Sequence, residues 1–210
     1  MHIAVLTFDG FNELDSFIAA SILNRQRPKG WKAFITSPTK TVTSMNGVTV
    51  EAERGLEFAA QADAVIIGSG TKTRDIARDD AVLSQLRRMD PARQLIGAQC
   101  SGTLLLSRTG LLGDRPACTD LTTKPWVIEA GVCVLDQPFF ADGNIATAGG
   151  CLASQYLAAW VLLRGGGEED ARAALHYVAP VGQKEEYVER ALGSVQPYLP
   201  SPAVGAKRAA

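Results

Sequence analysis

The residue best placed for covalent chemistry is Cys100, in the run Leu95-Ile96-Gly97-Ala98-Gln99-Cys100-Ser101-Gly102-Thr103. Its apolar first half reads as the end of a buried strand, and Thr103 to Leu112 reads as a helix, so no room is left for a loop. A strand that turns straight into a helix must bend sharply, and small residues let the two backbones approach. Gly102 supplies this, and Ala98 nearly does. The residue at the apex then faces a helix N-terminus, where unpaired N–H groups and positive dipole favour a thiolate over a thiol. The pattern is a nucleophile elbow with Cys in place of Ser and Ala98 in place of the usual first Gly. The plain alternative is one of the many small buried cysteines that only pack. What favours a nucleophile is that the turn chemistry and the thiol coincide.

The elements that must position this sulfur follow from periodicity. His2 to Phe8 reads as a buried strand, followed by the loop 9–12. Glu13 to Gln26 carries Leu14, Phe17, Ile18 and Ile22 at helical spacing, with Asn12 as N-cap. Strands are expected over Trp31 to Thr36 and Ala64 to Ile67, the latter ending in Gly68-Ser69-Gly70. A hairpin outside the main sheet is expected around Asn46-Gly47. One or two helices fill 74–89. After the elbow come short strands at Pro116 to Thr119 and Val132 to Leu135, a helix over Lys124 to Ala130, and a hairpin across Asp142-Gly143. Helices follow at Leu152 to Leu163, 168–178 and 184–193. Strands alternating with helices at this spacing imply a mostly parallel sheet covered on both faces, with ligands outside the carboxyl ends of the strands. Three strand ends converge there: the one before Asp15, the one at Gly68–Gly70, and the one at Cys100.

Composition narrows the function classes. With 210 residues, 46% hydrophobic and 20% charged, the chain is sized for one globular domain, expected over 1–195, with a Pro/Ala-rich tail at 196–210 frayed from Tyr198 onward. A net charge of −1 gives no electrostatic case for nucleic acid or a membrane surface. No apolar run is long enough to span a bilayer. The opening residues go directly into a strand with no signal peptide, so a cytoplasmic protein with reduced thiols is expected. The four cysteines (100, 118, 133 and 151) lack CxxC spacing and histidine partners, which argues against zinc. No metal or cofactor is expected. Cys118 and Cys133 read as core. Cys151, after Gly149-Gly150 at a helix start, reads first as packing and second as another reactive thiol.

Four motifs in order resemble the ThiJ/PfpI family, within the class I glutamine amidotransferase-like superfamily. They are Phe11-Asn12-Glu13-Leu14-Asp15-Ser16-Phe17, Ile67-Gly68-Ser69-Gly70, Ala98-Gln99-Cys100-Ser101-Gly102-Thr103, and the stretch from Asp142 to Gly150. Leu14-Asp15 and Gly149-Gly150 look most like the isonitrile hydratase branch and the domains fused to AraC-type regulators. The resemblance implies a flavodoxin-like three-layer α/β/α sandwich, a homodimer, and an acid hydrogen-bonded to the cysteine, matched by Asp15. A carboxylate beside a thiolate would raise the thiol pKa, so the pair works only if the carboxyl is protonated and shares its proton with the sulfur.

The backbone N–H groups of Ser101 and Gly70 are the candidate donors for developing negative charge, and the Ser101 hydroxyl is a candidate for placing water or a proton. Where many relatives carry a histidine about twenty residues after the cysteine, this chain has Asp120. It is either a substitute acid–base group or a turn residue. His2 and His176 lie elsewhere, so a Cys-His-Asp hydrolase is not supported. Trp126 is the candidate pocket wall. Two readings stand: a cysteine-dependent enzyme acting on a small electrophile, isonitrile hydratase-like, or a non-catalytic redox sensor using an oxidisable cysteine. A ligand-binding regulatory domain is a third.

Overall fold

The computed structural model describes residues 1–200. Its elements in chain order are β1 (His2–Leu6), α1 (Glu13–Leu23), β2 (Lys32–Ser37), β3 (Thr41–Thr43), β4 (Thr49–Glu51), β5 (Arg54–Gly55) and β6 (Ala64–Ile67). There follow α2 (Thr73–Ile76), α3 (Asp80–Leu86), β7 (Leu95–Gln99), α4 (Gly102–Thr109), α5 (Lys124–Glu129), β8 (Phe139–Asp142), β9 (Ile145–Ala148), α6 (Ser154–Gly165), α7 (Glu168–Val178) and α8 (Lys184–Val195).

Alternation along the strands builds two cores. In β1, Ile3 and Val5 face one side and Ala4 and Leu6 the other. The main sheet has the order β5-β2-β1-β6-β7-β9-β8, parallel throughout except for the antiparallel β8–β9 pair. One core, centred on Leu157, Trp160 and Val161 of α6, also takes Ala19, Ile22 and Leu23 of α1 and Ala174 and Leu175 of α7. The other holds Leu104, Leu105 and Leu106 of α4 with Val65 and Ile67 of β6. This is the mostly parallel sheet with two helical faces, the flavodoxin-like sandwich.

Several expectations shift. The first helix stops at Leu23 and continues as a 3₁₀ turn over Asn24–Lys29, because Pro28 cannot donate to an α-helical ladder. Residues around 117 and 134 make only one isolated bridge, Ala117 to Val134, rather than two strands. The β3–β4 hairpin is a separate sheet, and its tip is tied to the start of α1 through Ser44 and through Asn46 Nδ2, 2.9 Å from Glu13 Oε2. Tyr198 does not fray. Its ring packs edge-on against Phe139 and Phe140, and its hydroxyl accepts from Gln137 at 2.8 Å. The rest of the expected tail, 201–210, lies outside the described residues. No helix among the described residues is long and apolar enough to cross a membrane.

Candidate active site

β6 and β7 run side by side, with Ile67 opposite Ala98, and both end at the same sheet edge. The chain turns from β7 into α4 over two residues. Cys100 takes φ 47°, and among the described residues it is the only non-glycine with positive φ. That conformation costs an L-residue about 1–2 kcal/mol. Burial of Leu104, Leu105 and Leu106 in α4 offsets it, at roughly 1.5–3 kcal/mol per side chain. Gly102 is required at the bend, since a Cβ there would collide with the carbonyl of Ile67 and sit 2.7 Å from that of Gly68. The Cys100 amide donates to Ala148 O of β9 at 2.8 Å, and its carbonyl accepts from Thr119 Oγ1 at 2.8 Å. The strained residue is therefore held from both sides.

Asp15 lies in the first turn of α1. Asn12 caps that helix, its side chain accepting from the Leu14 N–H at 3.0 Å. The carboxyl is fully buried. Oδ2 accepts a short hydrogen bond from Ser69 Oγ, while Oδ1 has no partner at hydrogen-bond distance. A carboxylate oxygen of Asp15 and the sulfurs of Cys100 and Cys151 all lie within 4.8 Å of one another. The expected neighbours at Asp15 and Cys100 are thus brought together across 85 residues of chain.

The electrostatics correct one expectation. Burial, then the charge of Asp15 and its contact with the thiol, pushes the Cys100 thiol far above its ordinary range, against the thiolate. Asp15 is pushed up in turn by its own burial, which the Ser69 hydrogen bond only partly reverses. The helix dipole loses this contest because Cys100 is only 4% exposed and desolvation penalises the charged form more. Gln99 Nε2 donates to the Cys100 sulfur at 3.3 Å and to Gly150 O at 2.9 Å, a partial counterweight. Burial thus pushes both groups toward their protonated forms.

The other candidates divide. The Ser101 N–H has no acceptor among the described residues, nor does that of Gly102 in the first turn of α4. The Gly70 N–H is not free: it donates to Ser101 Oγ at 3.1 Å, so Gly70 does not supply the second donor expected of it. Ser101 Oγ is also 2.8 Å from Thr73 Oγ1, which makes it a strut between two loops. Gly70 has a packing role instead, since a Cβ there would lie 2.8 Å from Phe11 Cα. Asp120 Oδ1 accepts from the N–H groups of Thr122 and Thr123, both at 3.0 Å, the work of a turn residue before α5. Its charge still reaches Asp15 and raises that acid further.

A cleft of about 400 Å³ opens beside the elbow, lined by Thr119, Asp120, Lys124, Gln137, Gly149 and Gly150 among others. Trp126 packs on the second core instead, with Arg74 over its ring at 5.1 Å. Cys118 is buried as expected, its thiol pushed up to about 12 by desolvation, whereas Cys133 is exposed. His176 lies on α7, 3.6 Å from Glu185 and exposed. Sequence reasoning missed the donors Gln99, Asn12 and Ser69. It ranked packing ahead of a reactive thiol for Cys151, although Gly149-Gly150 before it already signalled a tight turn at the same sheet edge.

Comparison with known proteins bears on family and fold. Residues 1–164 match the family model described as the DJ-1/PfpI family. An isonitrile hydratase from Pseudomonas putida is 24% identical over 157 residues, covering 73% of this chain and 67% of that protein. Among solved structures, a mutant of DJ-1 from Schizosaccharomyces pombe superposes with a TM-score of 0.75 at 18% identity, covering 86% of this chain and 99% of that one. A ThiJ/PfpI family protein from Pseudomonas syringae gives 0.74 at 19% identity, with 93% and 87% covered. A mutant DJ-1 superfamily protein from Salmonella typhimurium gives 0.72 at 24% identity, with 85% and 98% covered.

Proposed function

The chain belongs to the DJ-1/PfpI family, and from that premise we propose that it is a cysteine-dependent enzyme that hydrates a small isonitrile to an N-substituted formamide. The observation that carries the reading is the Cys100 sulfur, set at a strained turn beside the fully buried carboxyl of Asp15. An amide hydrolase needs a thiolate and a base. An isonitrile needs a sulfur and a proton delivered to the same carbon, and burial favours the protonated forms of both Cys100 and Asp15.

In this scheme Asp15 gives its proton to the terminal isonitrile carbon, and the Cys100 sulfur bonds to that carbon as its own proton passes to Asp15. The product is a thioimidate, with one C–H and one C–S bond formed and one S–H bond broken. Water then adds to the same carbon. The thiol leaves with a proton from the pool shared with Asp15, and R–NH–CHO is released. The free N–H groups of Ser101 and Gly102 are the donors for negative charge during the water step. The similarity to the Pseudomonas putida isonitrile hydratase supports the choice of substrate class. The reading takes the protein as cytoplasmic, where its thiols stay reduced.

We propose also that a second copy closes over the start of α1, where Leu14, Met45, Val48 and Leu152 are all exposed. Sedimentation equilibrium giving a dimer supports this, and a monomer at micromolar concentration removes it.

The test is incubation with simple alkyl isonitriles, with proton NMR following the formamide C–H. Formamide appearing with the native protein and not with Cys100→Ala supports the proposal. No turnover across a panel of alkyl and aryl isonitriles overturns it. The redox-sensor reading rests on the same thiol. Sulfinic acid at Cys100 by mass spectrometry after mild peroxide, in a protein without turnover, would favour that reading.

A further inference from the structure

Cys151 takes no part in the chemistry above, yet it is not a packing residue. It is half-buried and its sulfur sits with that of Cys100 and a carboxylate oxygen of Asp15 inside a 4.8 Å cluster. Every prospective ligand has its own donor behind it. Asn12 Nδ2 donates to the Cys151 sulfur at 3.2 Å, Gln99 Nε2 donates to the Cys100 sulfur at 3.3 Å, and Ser69 Oγ donates to Asp15 Oδ2. Amide donors on sulfur and a hydroxyl on one carboxylate oxygen are the contacts that orient metal ligands. The remaining oxygen, Asp15 Oδ1, is buried and unpartnered. A buried polar atom without a partner is a cost that a ligand would remove.

We propose that Cys100, Cys151 and Asp15 form a three-ligand site for a thiophilic divalent cation of the Zn²⁺ type. Around a tetrahedral ion with Zn–S of about 2.3 Å and Zn–O of about 2.0–2.2 Å, ligand atoms stand roughly 3.5–3.8 Å apart, so the cluster closes by shifts of about an ångström. Two thiolates and one carboxylate suit a borderline-soft ion over Mg²⁺ or Ca²⁺, which take oxygen. Binding releases the two thiol protons to water as the two sulfur–metal bonds form, and any proton on Asp15 leaves with them. The fourth position is left to water. Because the ion occupies the Cys100 sulfur and Asp15, its binding switches off any reaction that uses them. The site stands whether or not isonitriles are the substrate.

The experiment uses the full chain in a Cys133→Ser background, which removes the exposed thiol, kept reduced with a phosphine. Cd²⁺ is titrated and the thiolate-to-metal absorption followed, then Zn²⁺ is measured against a chelating dye. The expected result is one ion per chain and an absorption matching two thiolates. Cys151→Ala leaves one thiolate's absorption and weakens binding by well over tenfold. Asn12→Ser keeps the helix cap but cannot reach the sulfur, and weakens binding by about tenfold or more. Absence of binding overturns the proposal, as does binding that Cys151→Ala leaves unchanged. Turnover of isonitriles is assayed separately on metal-free protein, so failure of the enzymatic reading leaves this result standing and the reverse holds too.

Discussion

Two neighbouring strands, β7 and β9, run parallel with Gln99 opposite Ala148, and each hands the chain to a helix through a cysteine. The two junctions solve the same problem differently. After β9 the positive φ falls on Gly150 (φ 90°), and Cys151 follows in a relaxed 3₁₀ turn with its side chain half-exposed. After β7 the positive φ falls on the cysteine itself, and its sulfur is buried against a carboxyl. Glycine takes the positive-φ position in one turn and not in the other. Strain kept at a residue that glycine would relieve points to a use for the side chain there, and this is why Cys100 and not Cys151 is assigned the nucleophile's role.

The contrast is broken most directly at the two sulfurs. Cys100→Ala is expected to abolish isonitrile turnover in steady-state assays, whereas Cys151→Ala keeps most of it. If both variants die alike, the two junctions are not functionally distinct. Asp15→Asn, which cannot relay the proton, is expected to lower kcat by about 100-fold or more.

The pH profile sharpens the comparison. Asp15 is held above its ordinary value of 3.8, burial being the first cause, and the scheme needs its proton, so turnover falls as pH rises through that raised value. The contact with Cys151 pulls Asp15 down, so Cys151→Ala moves this alkaline limb upward. A limb that stays put or moves down separates Cys151 from the acid.

Stability follows the same sign. A carboxyl that holds its proton more tightly folded than unfolded contributes stability fully below pH 3.8, and that contribution is lost as pH rises through the folded value. Asp15→Asn is therefore expected to raise Tm at neutral pH and to have little effect in acid. The smallest effect is at the turn itself. Cys100→Gly should be more stable than Cys100→Ala by about 1 kcal/mol in denaturant unfolding, although both are inactive. The paired substitution Cys151→Gly against Cys151→Ala should show no such gain, because Cys151 is not at positive φ.

Much of this was legible in the residues. The run from Leu95 to Thr103 specified a strand–helix junction because its apolar period changes with no loop residues between. Asn12 was readable as a cap because a short side-chain oxygen before an apolar helix satisfies an orphan N–H. Asp15 was found through resemblance to a family and not through spacing, since nothing local ties residue 15 to residue 100. The thiolate expectation meets an opposing burial effect, because a dipole at a helix start can be read from sequence while the depth at which the sulfur is buried cannot.

What the sequence by itself determined about this protein is most of its helices and strands and the sharp turn at Cys100, for these follow from periodicity and from residues that act on their own backbone. The tertiary structure alone decided what surrounds the sulfur. The strand order β6-β7-β9 and the docking of α1 bring Asp15, Ser69, Gln99 and Cys151 to one point, commit the Gly70 amide to Ser101, and set Asp120 to capping a turn. The physical reason is that hydrogen-bond partnership and desolvation depend on distance in space. In a parallel sheet, distance in space is set by strand order and not by separation along the chain.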